Sequence, residues 1–191
     1  MSMTKGDLRR ALRAASPGGE ARDRESLLLC AHVTDWEPYR RARVVGGYMP
    51  LPWEADITPL LLDALREGKT LALPRCLEGG GLCFHRVNGL DGLRRGAYGL
   101  PEPGEDAPVV GAGEIELLLV PLEGISASGV RLGKGGGYYD RLLADTPCAT
   151  LGAVMSWQWE EHLSAQPWDK PLQAEADLRG IHLFEPCNPI L

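Results

Sequence analysis

The run Arg131-Leu132-Gly133-Lys134-Gly135-Gly136-Gly137-Tyr138-Tyr139-Asp140-Arg141 carries the clearest chemical signal in this chain. Glycines let backbone N–H groups approach an anion closely, and a helix start adds positive partial charge. Arg131 and Lys134 place full positive charge in the same loop of an otherwise acidic chain. A phosphate is the guest such a loop suits. Neither common phosphate fingerprint is present, however. A Walker A loop would need Gly where Ser128 stands and Ser or Thr where Gly135 follows Lys134, and a dinucleotide loop from Gly133 would need Gly in place of Tyr138. The run is therefore a phosphate loop of another kind, or else a flexible connector. Asp140 has two readings, a partner of the helix dipole or a carboxylate for Mg²⁺, which favours one or two carboxylates with phosphate oxygens and water. Tyr139 has the spacing of a core residue, with its hydroxyl available besides.

A loop of this kind needs a rigid strand before it and a helix after it. Ile115–Val120 is the most strongly apolar segment and reads as a central buried strand. The segment 137–145 reads as a helix stopped by Thr146-Pro147. Upstream, 43–49 is a strand ended by Pro50 and Pro52, Thr58–Glu67 a helix, and Lys69–Leu73 a strand closed by Pro74. That β-α-β order predicts a parallel pair. Leu82–Val87 is expected as an antiparallel strand near an edge, and 88–113, dense in Gly and Pro, as a surface excursion. Ala149–Met155 and Ile181–Phe184 complete the strands. At the N-terminus, Thr4 and Asp7 mark a helix start, and Leu8, Leu12 and Ala15 recur at helical spacing until Ser16-Pro17-Gly18-Gly19. Lys5, Arg9 and Arg13, four apart, form one cationic stripe on that helix. A second helix covers about Glu20–His32. The expected architecture is a three-layer α/β/α fold with a mostly parallel sheet, as one domain over 1–191.

The wider composition narrows the function. With 191 residues, 44% of them hydrophobic and 24% charged, the chain can bury a sizeable core. A net charge of −6 argues against a general nucleic-acid or membrane-surface binder. Cys30, Cys76, Cys83, Cys148 and Cys187 are odd in number and contain no CxxC pair, which fits reduced thiols in a cytoplasmic protein. No apolar run approaches the ~20 residues that span a bilayer.

RLGKGGGYYDR closely resembles the signature of the 5-formyltetrahydrofolate cyclo-ligase family. The resemblance extends along the chain: Lys5-Gly6-Asp7-Leu8-Arg9, Tyr48-Met49-Pro50 with Glu54 and Asp56, Tyr98-Gly99-Leu100-Pro101-Glu102-Pro103, Val120-Pro121, Gln158, and Pro167-Trp168-Asp169 match family blocks in order and spacing. Departures fall at Ser126-Ala127, where the family has Phe-Asp, at Ile57, where a threonine is usual, at Trp168, where His is typical, and at Asp177-Leu178, where Thr-Glu is usual.

The resemblance implies a fold like that of ribose-5-phosphate isomerase and CoA-transferase domains. It implies that Lys5, Arg9 and the loop from Arg131 to Tyr139 contact ATP, that Asp140 and Asp169 serve Mg²⁺, and that Met49, Glu54 and Lys134 to Tyr138 line a folate site. Lys134, Arg131 and Tyr139 are then the residues nearest the chemistry. That chemistry would be ATP-dependent closure of 5-formyltetrahydrofolate to 5,10-methenyltetrahydrofolate, with ADP and phosphate released. Tyr48, Trp53 and Trp157 are candidates to stack on the ring, although an aromatic residue at each of these positions is more often core than ligand. The expected partners are small molecules, with no nucleic acid and no membrane, in a monomer or a dimer. Two other readings stand beside this one: a paralogue that keeps the nucleotide loop for another metabolite or for regulation, and a sugar-phosphate or CoA-binding module.

Overall fold

Strands that alternate between two cores explain the shape of this protein. The computed structural model describes residues 3–96, 99–144, 146–161 and 163–184; Tyr98, Asp145 and Cys187 lie outside them. The sheet has the order β12-β11-β10-β7-β1-β2-β3-β6. Its strands are β1 (Val44–Gly46), β2 (Thr70–Cys76), β3 (Leu82–Val87), β6 (Val109–Val110), β7 (Leu117–Val120), β10 (Ala149–Ala153), β11 (Ala174–Asp177) and β12 (Gly180–Leu183). The middle, from β11 to β2, is parallel, and antiparallel strands close both sides. Leu82–Val87 pairs antiparallel one strand from the edge, as expected.

Period-two alternation sends neighbouring side chains of β7 to opposite faces. Leu117 and Leu119 join a core with α2 (Gly19–Asp35) and α4 (Thr58–Arg66) through Leu29, Val33, Leu60 and Leu61. Leu118 and Val120 join a second core with Phe84 and Ile125, against which Tyr139, Leu142 and Leu143 of α5 (Tyr138–Ala144) pack. Both faces of the sheet are covered, which is why the central strand reads as an unbroken apolar run.

The first helix, α1 (Lys5–Ala15), starts at a capping box. Thr4 Oγ1 accepts from the Asp7 N–H at 3.1 Å, while the Asp7 carboxylate accepts from the Thr4 N–H at 3.1 Å. Leu8 and Leu12 bury against Val130, Leu132 and Leu163, so the helix docks beside the loop rather than on the main sheet.

Several elements differ from the sequence reading. Strand β1 is only Val44–Gly46, and Tyr48 and Met49 leave the sheet. Strand β2 runs through Pro74 to Cys76. Its register with β1 ends at Ala72, so beyond that point only β3 flanks it and a residue without an N–H is tolerated. The 88–113 excursion contains two-residue strands, β4 (Arg94–Arg95) paired with β5 (Pro101–Glu102), and β6 on β3. Three elements went unread. A short α3 (Glu37–Arg41) follows α2, and a hairpin of β8 (Gly124–Ile125) with β9 (Arg131–Leu132) precedes the glycines. Strand β11, Ala-Glu-Ala-Asp, buries only Ala174 and Ala176 in the first core.

Candidate active site

The parallel strands β1, β2 and β7 end on the same side of the sheet, where the crevice of an open α/β sheet takes ligands. Two cavities adjoin there. One, about 950 Å³ of empty space counted out into the solvent at its mouth, is walled by Tyr48 and Met49 after β1, Pro74 and Cys76 at the end of β2, and Pro121, Leu122 and Glu123 after β7. Glu54 lies in its floor, while Leu100, Pro101 and Glu102 form part of its rim. The other is an open cleft of about 1540 Å³ between α1 and the segment Gln166–Lys170, lined by Lys5, Arg9, Leu132, Arg141, Trp168 and Asp169.

The glycine loop is the partition. Arg131, Gly133, Gly135, Gly137 and Asp140 face both spaces, whereas Lys134, Gly136, Tyr138 and Tyr139 face the first cavity. Gly135 at φ 96° and Gly137 at φ 67° adopt left-handed backbone that a side chain would strain. Three bonds hold the loop in place: Arg9 Nε donates to the Gly133 carbonyl at 2.7 Å, Arg141 Nη2 to the Gly136 carbonyl at 3.0 Å, and Arg141 Nε to the Gly80 carbonyl at 3.2 Å. The last of these ties it to the β2–β3 turn.

Arg131 is buried behind the loop. Its Nη2 donates to Asp140 Oδ1 at 2.7 Å, and its guanidinium lies 5.5 Å from the Tyr139 ring centroid. Burial pulls its pKa down, against the opposing pull of Asp140. Arg131 Nε and the Tyr48 and Tyr139 hydroxyls are buried without hydrogen-bond partners, all on residues of the first cavity's wall. Buried polar atoms left unpaired at a site need a reason, and a bound polar ligand is one.

The cationic stripe of α1 resolves into three separate jobs. Lys5 Nζ pairs with Asp169 at 3.2 Å, Arg9 holds the loop, and Arg13 grips buried Glu123 through two bonds of 2.8 and 2.5 Å. The Arg13 guanidinium also stacks 4.6 Å over the Trp53 ring. A fork-to-carboxylate pair of this kind positions firmly, so Arg13 acts on the cavity wall rather than lining either space. Glu54 is buried, accepts from the Leu51 N–H at 2.8 Å, and its carboxyl is pushed up to about 7, chiefly by burial. Lys134 draws it down and Glu123 pushes it further up.

Of the aromatic candidates for stacking, Tyr48 lines the cavity. Trp53 and Trp157 are absent from its wall among the described residues, Trp53 carrying Arg13 and Trp157 packing on the first core. Gln158 is fully committed, its Oε1 accepting from the Met155 N–H at 2.9 Å and its Nε2 donating to the Leu122 carbonyl at 3.1 Å. The sequence reading missed Glu123, Cys76 and Leu122 as wall residues. For Glu102, its place between Pro101 and Pro103 in a block that matches the family was the available signal.

Asp140 and Asp169 line the same cleft, each beside a cation, Arg131 and Lys5. Two carboxylates lining one cleft beside a glycine loop are a donor set that fits Mg²⁺.

The chain resembles known proteins along most of its length. The 5-formyltetrahydrofolate cyclo-ligase family pattern matches residues 2–175. The 5-formyltetrahydrofolate cyclo-ligase of Escherichia coli is 28% identical over 173 residues, covering 87% of this chain and 94% of the relative. That of Mycolicibacterium smegmatis is 35% identical over 134 residues, 66% of this chain and 69% of its own. The solved structure of Aquifex aeolicus 5,10-methenyltetrahydrofolate synthetase superposes with a TM-score of 0.85 at 29% identity, over 99% of this chain and 97% of that one. The Mycoplasma pneumoniae 5,10-methenyltetrahydrofolate synthetase shares the fold, with a TM-score of 0.74 at 20% identity over 92% and 99%.

Proposed function

The chain belongs to the 5-formyltetrahydrofolate cyclo-ligase family, and on that footing we propose that its two adjoining cavities divide the substrates of one ligation between them. The protein is a ligase that closes 5-formyltetrahydrofolate to 5,10-methenyltetrahydrofolate. In this reading the reduced folate occupies the first cavity and ATP the cleft beside α1, with the glycine loop between them. The observation that carries the assignment is that partition: Lys134 faces one space, Arg9 the other, and Arg131 both.

A formyl oxygen is a poor leaving group, so closure needs activation. The formyl oxygen attacks the γ-phosphorus, forming an O–P bond as the bond to ADP breaks. The N10 lone pair then adds to the formyl carbon and N10 loses its proton. Phosphate departs with the former formyl oxygen and leaves the methenyl bridge. Phosphoryl transfer asks mainly for alignment and charge neutralisation. Backbone N–H groups of Gly135 to Gly137, with Lys134 and Arg131, supply the positive charge at the shared wall, and Lys5 and Arg9 hold the nucleotide's phosphates from α1. Asp140 and Asp169 would hold Mg²⁺, which when bound neutralises phosphate oxygens. Glu54, ionised, accepts from pterin N–H groups, and Met49, Tyr48 and Tyr138 pack the ring. Orientation of two reactants across a fixed wall is worth up to about 7–11 kcal/mol in favourable cases.

Cys30, Cys76, Cys83 and Cys148 are free thiols, in keeping with a reducing, cytoplasmic setting. Among the described residues no helix is long and apolar enough to cross a membrane. The direct test is purified protein with 5-formyltetrahydrofolate, ATP and Mg²⁺, followed by the near-ultraviolet absorbance of the methenyl product. A rise that requires both ATP and metal is the expected result. A folded protein that binds ATP and gives no rise would overturn the reading.

A further inference from the structure

The far side of the sheet holds a group of ligating side chains that the ligation does not use. Strands β11 and β12 pair so that Glu175 stands directly opposite His182 and Asp177 opposite Gly180. Alternation along β11 puts Glu175 and Asp177 on the same face, so two carboxylates and one imidazole converge. His182 Nε2 lies 3.5 Å from Asp177 Oδ1 and 3.9 Å from Glu175 Oε1, and one ligating atom from each residue falls within 4.8 Å of the others. None of the three lines either cavity.

The carboxylate of Glu175 is what makes this more than an acidic cluster. Glu175 is only 1% exposed, and neither of its oxygens has a hydrogen-bond partner. A buried carboxylate without donors is costly, and it is aimed at its two neighbours. Asp177, by contrast, is already fixed: Oδ1 accepts from the N–H groups of Arg179 at 2.7 Å and Gly180 at 3.2 Å, and Oδ2 from Arg179 Nε at 2.8 Å. The Arg179 side chain is 65% exposed, so it can swing away, and His182 is half-exposed, so the cluster is open to solvent on one side.

We propose that Glu175, Asp177 and His182 form a binding site for one first-row transition-metal dication of the Zn²⁺ type, separate from the Mg²⁺ of the ligation. An imidazole with two carboxylates suits Zn²⁺ and its neighbours better than Mg²⁺ or Ca²⁺, which take oxygen donors. Three protein ligands leave room for water in the fourth position, and bonds of about 2.0–2.2 Å place two ligand atoms no more than about 4.4 Å apart, so the three donors, now within 4.8 Å of one another, draw together when the ion binds. A bound dication supplies the buried Glu175 with a counter-charge and clamps the edge strand β12 to β11.

The test uses the full-length protein without an affinity tag, stripped with chelator and free of ATP and Mg²⁺. Co²⁺ is titrated in and followed by its visible d–d absorption, with Zn²⁺ then added in competition. One equivalent of Co²⁺ that Zn²⁺ displaces is the expected result, together with a Zn²⁺-dependent rise in Tm. His182→Ala, on an exposed ring, should keep the fold and lose this binding. Loss of even an outer partner costs about 10–100-fold in metal affinity, so loss of a ligand should cost no less. Glu175→Gln should behave alike, while Asp169→Asn in the active cleft should titrate as the parent does. Absence of saturable Co²⁺ binding, or an unchanged titration in His182→Ala, would overturn the proposal.

Discussion

Arg131 and Asp140, nine residues apart, hold each other by a 2.7 Å bond from Nη2 to Oδ1 at the wall between the two cavities. The guanidinium is almost wholly buried, whereas the carboxylate is 32% exposed toward the cleft. The pair therefore does two jobs: Asp140 supplies the counter-charge that offsets the burial of the Arg131 guanidinium beneath the loop, and it presents a carboxylate oxygen to the cleft.

Asp140→Asn should show both roles at once. Removing one member of a fully buried pair costs about 3–5 kcal/mol. With Asp140 partly in solvent, a loss of roughly 1–3 kcal/mol is expected in urea unfolding, and the Mg²⁺ needed for half-maximal turnover should rise. An unchanged Mg²⁺ titration would remove Asp140 from the metal role, whatever the stability did.

Lys134→Ala tests the loop cation that faces the first cavity, where the folate is proposed to bind. Taking one preorganised positive donor from a developing anion costs about 10²–10³ in kcat. Lys134 is exposed, so Tm should move little. Turnover within a factor of a few of the parent would show that the backbone amides and Arg131 suffice.

Glu54 should set a pH dependence. With its carboxyl at about 7, it is largely protonated below that pH and ionised above it. Only the ionised form accepts from two pterin N–H groups, so the KM for the folate should fall as pH rises from 6 to 8. Glu54→Gln should raise KM and flatten that profile. A profile that keeps its shape in the variant assigns the titration to another group.

Glu175 should leave its mark on stability. Burial, with Asp177 close by, pushes its carboxyl up to about 8 from 4.5. Below pH 4.5 folded and unfolded chains both hold the proton. Between there and about 8 the unfolded chain releases it and the fold retains it, so this group's contribution declines as pH rises. In chelator, Glu175→Gln should therefore gain on the parent across that window and be the more stable of the two at pH 8. Equal pH profiles for the two proteins would show that Glu175 keeps an ordinary carboxylate in the fold.

Local signals in the chain were enough for the frame and for the identity of the loop. The apolar run ending at Val120, the Thr4–Asp7 cap and the β-α-β order before Pro74 are patterns of neighbouring residues, and the corresponding elements formed. Gly135 and Gly137 with Lys134 and Arg131 marked out a candidate anion site because glycine freedom and charge act within a few residues. By itself the chain also placed Lys5, Arg9 and Arg13 on one helix face. Tertiary packing decided what each of them does, because Asp169, the Gly133 carbonyl and Glu123 meet that face only after Leu8 and Leu12 bury against Leu132. The same holds for the Arg131–Asp140 bond, for the division of the loop between two cavities, and for Glu175 facing His182 across β11 and β12. Strand β11 carries too little apolar pattern to be read as a strand, since half its residues are acids and only Ala174 and Ala176 seek the core. Its partners and the burial of Glu175 are set by long-range pairing, which no window of sequence contains.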